Sequence, residues 1–319
     1  MIEVKNLTKR YGNHLAVDHL NFTVESGKIY GFLGPNGAGK STTMNIMTGY
    51  LGATEGQVLI DGHDILKEPE EAKKNIGYLP EIPPLYMEMT GQEYLEFAAE
   101  LKGIKKDKRE PQIEEVIRLA KLRAVENRLI QNLSKGYKQR VGLAQAVLGF
   151  PEIIILDEPT VGLDPKQIIE IRELIRKLAK KHTVILSSHI LAEVREVCDY
   201  IMIISGGKLV ASDTTENLEN MMSGKGQIEV EAKASRDEMD HIIRRTGKIK
   251  EVKYRTSASG ITTAQIIAKG GEDIREELFL AFSHADVPML TLNQSKTTLE
   301  EIFLELTQGS GNRMIKEEK

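Results

Sequence analysis

The stretch "GPNGAGKST", residues 34 to 42, decides the fold of this chain. It follows the apolar run "KIYGFL", which predicts a strand, and precedes "TMNIMTG", in which apolar residues recur at helical spacing. Glycines between a strand and a helix let backbone N–H groups wrap around a phosphate chain. In such a loop Lys40 brings positive charge to the β- and γ-phosphates, and Ser41 can bind Mg²⁺. We therefore predict a nucleoside triphosphate site, against the alternative of a purely structural glycine turn.

A second apolar run, "IIILDEP" at residues 153 to 159, ends in two carboxylates. Consecutive apolar residues of this kind are typical of a strand buried on both faces. Asp157 at the strand end can hold a metal-bound water, and Glu158 can polarise the water that attacks a phosphoryl group. A strand that merely stops at an acidic turn is the structural alternative. The phosphate-binding loop earlier in the chain favours the catalytic interpretation.

The stretch "LSKGYKQR", residues 133 to 140, places a serine and a glycine just ahead of a helical pattern. The first N–H groups of a helix and the positive end of its dipole attract phosphates. The residues themselves leave open which phosphate this second site would bind.

The composition narrows the class of protein. A chain of 319 residues can hold two domains, and its 43 basic and 47 acidic residues nearly balance. This balance gives no indication of a nucleic-acid-binding surface, and we expect none. A single cysteine, Cys198, cannot form an intrachain disulfide, and the first residues lack the apolar core of a signal peptide. Since the longest apolar runs have strand length, we expect a cytoplasmic protein that reaches a membrane only through a partner.

Hydrophobic periodicity divides the first two thirds of the chain. Strand-like runs fill the first 80 residues, and a helical pattern then begins with Thr90 and Glu93 at the spacing of a capping box. We expect Leu101 on the apolar face of this helix and Pro111 in the first turn of the next. Alternating strands and helices return from residue 152. The pattern predicts one α/β domain with a helical insert.

The last third of the chain has a different order of elements. After a linker, "MMSGKGQ" at 221–227, the periodicity predicts βαββαβ and then a helix over "LEEIFLELT". That order matches the split βαβ unit of ferredoxin-like domains. We predict such a domain over residues 220–307 and a polar tail over 308–319. Nothing in this region has ligand spacing, so we expect no catalysis there.

Five motifs together resemble the ATP-binding subunit of an ATP-binding-cassette (ABC) transporter. They are "GPNGAGKST", "LSKGY", "IIILDEP", "GLDP" (162 to 165) and "SSHIL" (187 to 191), in the family's order. The resemblance implies an α/β P-loop NTPase cassette over residues 1–219, with a RecA-like core, an antiparallel β subdomain and a helical subdomain at about 82–150. The ferredoxin-like region is then a small accessory α+β domain. ATP, Mg²⁺ and ATP hydrolysis are the implied cofactors and activity.

The resemblance also assigns residues to roles. Glu158 and His189 are the implied catalytic pair, with His189 at the γ-phosphate. Tyr11 resembles the aromatic residue on which the family stacks adenine, although an exposed turn tyrosine is a live alternative. The implied metal ligands are Ser41, Glu81 and Asp157. The implied ATP-binding residues are Tyr11, Gly34, Pro35, Asn36, Gly37, Ala38, Gly39, Lys40, Ser41 and Thr42.

The resemblance implies which phosphate the helix end at "LSKGY" binds. Its cassettes pair head to tail, so the signature segment of one subunit contacts ATP held by the other. Asp164 of "GLDP" is expected at the same interface. This sequence departs from the common LSGGQ signature at two positions, and it has Glu81 where the family commonly places a glutamine that couples to the membrane subunit. The implied signature residues are Ser134, Lys135, Gly136 and Tyr137.

The expected partners are a separate transmembrane permease and a second cassette, which makes a homodimer or a heterodimer. The protein would then lie at the inner face of the cell membrane, as part of a transporter of the exporter type. A soluble ABC ATPase that acts on ribosomes or DNA is the alternative, and an unrelated P-loop kinase or GTPase is a third. A P-loop kinase or GTPase would not account for the motifs "LSKGY" and "SSHIL".

Overall fold

The computed structural model describes residues 1–218, 227–257, 260–295, 303, 304 and 307. Two compact units divide the chain, one containing Met1–Thr214 and the other Thr215–Glu305. The predicted tail lies outside the described residues, as do all of the predicted linker except Gln227 and most of the predicted last helix.

The first unit contains two sheets. The first-unit strands are β1 (Ile2–Tyr11), β2 (His14–Val24), β3 (Ile29–Leu33), β4 (Glu55–Ile60), β5 (His63–Asp64), β6 (Ile76–Leu79), β7 (Ile153–Leu156), β8 (Thr183–Ser188), β9 (Tyr200–Ser205) and β10 (Lys208–Thr214). The larger sheet has the strand order β10-β9-β3-β8-β7-β6, and the smaller sheet has the order β2-β1-β4-β5.

Strand direction differs between these sheets. Neighbouring strands from β9 to β6 are parallel, and only β10 is antiparallel to its neighbour. All pairs in the smaller sheet are antiparallel. Every residue of β3 and β7 is buried, as expected for strands in the middle of a parallel sheet. One hydrophobic core contains residues of both sheets, such as Val4, Val58, Phe32 and Ile155. The predicted α/β cassette architecture is confirmed.

Helices connect the parallel strands. Three of them, α3 to α5, lie between β6 and β7, where the sequence predicts the helical subdomain. The helices of the first unit are α1 (Lys40–Met47), α2 (Pro69–Lys74), α3 (Gly91–Leu101), α4 (Lys106–Leu119), α5 (Lys135–Val147), α6 (Pro165–Leu178) and α7 (Leu191–Val197).

Two details of the helical region differ from the prediction. The capping box of α3 is present, with the Glu93 N–H donating to Thr90 Oγ1 and the Thr90 N–H donating to the Glu93 carboxylate. Leu101, however, is the last residue of α3 and is 71% exposed, so its assignment to the apolar face is wrong. Pro111 is also wrong as a helix start, because α4 begins at Lys106. The carbonyl that Pro111 leaves without a donor belongs to exposed Asp107, where water can hydrate it.

The second unit has one antiparallel sheet in the order β12-β13-β11-β14. Helices α8 (Arg236–Arg244) and α9 (Arg275–His284) pack their apolar residues into one core with the sheet, and the order of elements from β11 to β14 is the predicted βαββαβ. Across the described parts of both units, no helix combines the length and the hydrophobicity needed to span a bilayer. The elements are β11 (Gln227–Ala232), α8 (Arg236–Arg244), β12 (Ile249–Thr256), β13 (Thr262–Ala268), α9 (Arg275–His284) and β14 (Met289–Ser295).

Candidate functional site

A pocket of about 510 Å³ opens beside the N-terminus of α1. It contains most of the residues predicted to handle ATP. The predicted residues that line it are Tyr11, Asn36, Gly37, Gly39, Lys40, Ser41, Thr42, Glu81, Glu158 and His189. Three further lining residues, His14, Ala16 and Val161, were not predicted.

The loop before α1 exposes backbone donors to this pocket. Gly39, the N-cap residue, has a φ of 103°, and a Cβ at this position would lie 2.5 Å from the Ala16 carbonyl oxygen. Only glycine fits both constraints. No side chain caps α1 and its first turn has no acidic residue, so no carboxylate of that turn repels an anion. The helix therefore presents free N–H groups and the positive end of its dipole to the pocket.

Lys40 lies at the bottom of the pocket and is buried. Its Nζ donates to the Gly34 carbonyl at 2.8 Å and to the Pro35 carbonyl at 3.3 Å. The same nitrogen lies 3.6 Å from Glu158 Oε1. The loop thus bends around its own lysine, and the cation lies between the phosphate-binding loop and a buried carboxylate.

Parallel strand pairing places the acidic residues against this loop. Leu156 of β7 pairs with Leu186 of β8, which brings Asp157 beside Ser187. The Ser187 hydroxyl donates to Asp157 Oδ1 at 2.5 Å and accepts from the Glu158 N–H at 2.8 Å. Ser41 Oγ, from α1, also donates to Asp157 Oδ1 at 3.2 Å. One carboxylate therefore joins three separate segments of the chain.

Glu158 has a left-handed backbone conformation, with a φ of 46°. Residues other than glycine seldom adopt it, because Cβ crowds the following carbonyl oxygen. The carboxylate receives a hydrogen bond from His189 Nδ1 at 3.0 Å. Since a carboxylate only accepts, this contact requires the proton of His189 on Nδ1. Glu158 is thus held between a lysine and a histidine at the edge of the pocket.

Tyr11 and Glu81 are the exposed side chains of the site that sequence analysis assigned to the adenine and to the metal. Tyr11 is 47% exposed, and Lys9 Nζ lies 5.4 Å from the centre of its ring. Glu81 is exposed and lines both the pocket and a neighbouring groove of about 830 Å³. Burial and the nearby Asp157 charge raise the pKa of Tyr78 in this groove, and burial lowers the pKa of Lys102 to about 8.

The predicted signature residues are not among those that line the pocket. Ser134 caps α5 and accepts from the Tyr137 N–H at 3.4 Å. A Cβ at Gly136 would lie 2.4 Å from the amide oxygen of Gln167, so the signature segment lies against the side chain of this residue in the first turn of α6. Asp164 caps α6 by accepting from the Gln167 N–H at 2.9 Å. The signature segment and "GLDP" thus pack together, away from the pocket of their own chain.

Sequence reasoning missed several side chains that hold the site together. Ser187 and Ser188 belong to the quoted motif "SSHIL", yet only His189 was selected from it. The serines end a strand adjacent to β7, but that adjacency is a property of the sheet order. Thr160 and Glu193, which bond to each other, had no signal at the level of sequence.

The residues of the pocket fit a nucleoside triphosphate. A buried lysine and uncapped helix N–H groups suit phosphate oxygens, and the hydroxyl of Ser41 with the carboxylate of Asp157 suits a hard cation. In the described part of the chain, no three or more His, Cys, Asp or Glu side chains group as they would to hold a metal ion by themselves. Mg²⁺ commonly takes one or two protein ligands together with substrate phosphates and water, which agrees with this donor set.

Comparison with known proteins gives three informative similarities. The sequence profile of the ABC transporter family matches residues 17–161. The bacitracin transport ATP-binding protein BcrA of Bacillus licheniformis is 42% identical over 69% of this chain and 71% of its own length. The linearmycin resistance ATP-binding protein LnrL of Bacillus subtilis (strain 168) is 31% identical over 96% of this chain and 98% of its own.

Solved structures share the fold of the first unit. The ATP-binding cassette MJ0796, solved as a dimer in a post-hydrolysis state with ADP and Pi, superposes with a TM-score of 0.61. It is 28% identical, and the match covers 67% of this chain and 98% of that cassette.

Proposed function

The chain belongs to the ATP-binding subunits of the ABC transporter family and is an ATPase, and we propose that it hydrolyses ATP in the pocket formed by Lys40, Glu158 and His189. The position of Glu158 carries this proposal. Its carboxylate lies 3.6 Å from the Lys40 cation and 3.0 Å from the His189 ring, beside the uncapped end of α1. A base in that position can orient a water that faces the terminal phosphate.

Each residue has one task in the reaction. Lys40 and the N–H groups of the loop bind the β- and γ-phosphates and offset their charge. Glu158 accepts a hydrogen bond from the attacking water and draws off its proton as the oxygen bonds to the γ-phosphorus. The bond between that phosphorus and the β–γ bridging oxygen breaks, and ADP and phosphate form. His189, held by Glu158 through Nδ1, contacts the γ-phosphate.

Mg²⁺, held by Ser41 and Asp157, would offset further phosphate charge. The Ser187 hydroxyl and the Ser41 hydroxyl both donate to Asp157 and so fix the orientation of this carboxylate. Glu81 lines the same pocket, and its carboxylate would offer the cation a further oxygen where an amide is common in the family. Tyr11 stacks on the adenine.

We further infer that two cassettes pair head to tail around ATP. Ser134 and the first N–H groups of α5 form an anion-binding helix end that does not line the pocket of the same chain. A second copy can supply this end to complete the ring of donors around the γ-phosphate. The dimeric state of MJ0796, which has the same cassette fold, supports this pairing.

The partner that uses the ATP is proposed to be a separate transmembrane permease, and the direction of transport to be export. The relatives named for bacitracin transport and linearmycin resistance support both parts. The groove beside Glu81, with exposed Ile82 at its margin, is the surface we assign to the permease. The chain would then work at the inner face of the membrane. Purification of the full chain from solubilised membranes should recover the permease, whereas recovery of ribosomes or DNA would favour the soluble alternative.

Light scattering tests the dimer. The Glu158→Gln variant should bind ATP without hydrolysing it, and with Mg²⁺ and ATP should reach about twice the 35.6 kDa mass of the monomer. Adding Ser134→Arg to this variant should block pairing, because the arginine fills the end of α5. Ser283→Arg, at an exposed position of α9, is the matched control. Pairing that survives Ser134→Arg would contradict the head-to-tail arrangement.

A further inference from the structure

A buried carboxylate outside the phosphate pocket connects the two catalytic loops. Glu193 lies on α7 and is only 8% exposed. Its Oε2 accepts two hydrogen bonds, from Thr160 Oγ1 at 2.5 Å and from Ser188 Oγ at 3.1 Å. No Lys, Arg or His among the described residues forms an ion pair with it. Among the described residues, the side-chain groups that bond to the Glu193 carboxylate are therefore these two hydroxyl groups.

The two donors belong to the segments that carry the proposed catalytic pair. Thr160 follows Glu158 in the turn after β7, and Ser188 directly precedes His189 at the end of β8. Ser188 Oγ also accepts from the Ile190 N–H at 3.0 Å, so this serine braces the backbone on the far side of His189. A single oxygen atom of Glu193 thus ties together the two loops whose side chains meet at 3.0 Å.

The loop of Glu158 needs such support. Its backbone has the unfavourable φ of 46°, which persists only where the surroundings impose it. An apolar residue at position 193 would fill the same space, but only an acceptor can hold both hydroxyl groups. Burial of a carboxylate is unfavourable unless hydrogen bonds satisfy it, so packing alone is a weak reason for a glutamate at this position.

We propose that Glu193 is a positioning residue for ATP hydrolysis, which keeps Glu158 and His189 in register through Thr160 and Ser188. The inference rests on the proposed function of that pair. Glu193 lines neither the pocket nor the adjacent groove, so it acts through the loops and not on ATP.

The main test compares substitutions on α7 in the full chain with ATP and Mg²⁺. Glu193→Ala should lower kcat about tenfold, as loss of supporting contacts around a reactive centre commonly does, and leave KM within about twofold. Glu193→Gln keeps an oxygen acceptor and should restore kcat to within about threefold of the parent. The matched control is Glu196→Ala, on the same helix, where the side chain is 57% exposed and paired with Arg172.

A purely structural role predicts a different result. It would lower the melting temperature and the fraction of chains that bind ATP, while kcat per ATP-binding site stayed at the parent value. That outcome would overturn the proposal. If Glu193→Ala fails to fold, Thr160→Val removes only one donor at similar volume and should lower kcat about threefold. An unchanged kcat in Thr160→Val would also overturn it.

The proposal and the function on which it rests can fail separately. If Glu158→Gln hydrolyses ATP at the parental rate, the catalytic assignment of Glu158 is wrong, whatever result Glu193→Ala gives. If Glu158→Gln is inactive and Glu193→Ala keeps full ATPase activity, only the positioning role of Glu193 is contradicted. In the double variant of Glu193→Ala and Thr160→Val, the losses should not multiply, because both changes break the same link.

Discussion

The two units of this chain differ in the direction of their strands, and this difference decides where loops with reactive side chains can meet. In the first, β3, β8 and β7 are parallel neighbours, so their carboxyl ends lie at one edge of the sheet. The loops that leave this edge carry Lys40, Glu158 and His189. In the second, all neighbouring strands of the sheet are antiparallel, so the carboxyl ends of neighbours lie at opposite edges. Parallel topology gathers loops from distant parts of the sequence, and antiparallel topology separates them.

In the described part of the second unit, several polar side chains bond across the sheet or between a helix and a strand. Glu231 accepts hydrogen bonds from Thr263 and Thr291 on the neighbouring strands. The Tyr254 hydroxyl donates to Asp240 of α8 at 2.7 Å. Glu231, Tyr254 and Thr263 also line a pocket of about 360 Å³, but its lining residues all lie on β11, β12 and β13, and no described helix begins beside it as α1 does beside the phosphate pocket. The comparison therefore predicts that chemical activity depends on single side chains in the first unit, while the second depends on its core.

Glu158→Gln should have the largest effect. Loss of the base should lower the ATPase rate by about a thousandfold while ATP still binds, since a positioned base contributes roughly 10²–10⁴-fold. Steady-state phosphate release and nucleotide titration measure the two quantities. Glu231→Gln in the second unit, on a carboxylate that also accepts hydroxyl hydrogen bonds, is the control and should remain at the parental rate. A comparable loss of ATPase rate in Glu158→Gln and Glu231→Gln would contradict the prediction that activity depends on single side chains of the first unit only.

Ile266→Ala should have the next largest effect, on stability. Ile266 is fully buried in the core of the second unit, and its truncation should destabilise that unit by about 3 kcal/mol. Hydrogen exchange of the β11 and β13 amides reports the loss. Gln265→Ala, at the adjacent exposed position, should cost less than about 0.5 kcal/mol. The two variants should have the same ATP affinity, and a drop confined to Ile266→Ala would couple the core of the second unit to the pocket.

Lys40→Ala should weaken ATP binding by about thirtyfold, because about 2 kcal/mol of charge-assisted hydrogen bonding to phosphate is lost. Equilibrium titration with a fluorescent ATP analogue measures this change. Lys74→Ala provides the control, since that lysine is exposed and pairs only with Glu71 among the described ion pairs. An affinity equal to that of Lys74→Ala would show that Lys40 serves only to hold its own loop.

Asp240→Asn should give the smallest effect, visible only in acid. The hydrogen bond from Tyr254 and then the Arg244 guanidinium lower the pKa of Asp240 below its ordinary value of 3.8. Because the folded pKa lies below the unfolded one, this carboxylate stabilises the fold above the unfolded value and the gain is lost as pH falls through the folded pKa. Between about pH 5 and about pH 3, the parent should lose slightly more stability than Asp240→Asn. Hydrogen exchange of the β12 amides measures this stability. An equal loss of protection in the parent and in Asp240→Asn as the pH falls would contradict the prediction.

Local patterns predicted most of the elements and the kind of site. The apolar runs around residues 30, 154 and 185 became parallel strands, and the capping box at Thr90 begins a helix as expected. Leu101 was wrong because the end of α3 is left uncovered, and Pro111 was wrong because α4 continues through the proline, where the carbonyl of exposed Asp107 loses its donor. Periodicity reports which face of an element is apolar, but it does not report where that face stops being covered.

The sequence alone determined that a glycine loop between a strand and a helix would bind phosphate, and that carboxylates would follow a buried strand. Both are properties of short segments, because backbone preference and side-chain chemistry act within a few residues. Only the tertiary structure decided that β8 lies between β3 and β7, which brings Ser187 to Asp157 and His189 to Glu158. It also placed Ser134 away from the pocket and joined Glu193 to Thr160. Contacts between distant segments follow from the packing free energy of the whole sheet, which no single segment contains.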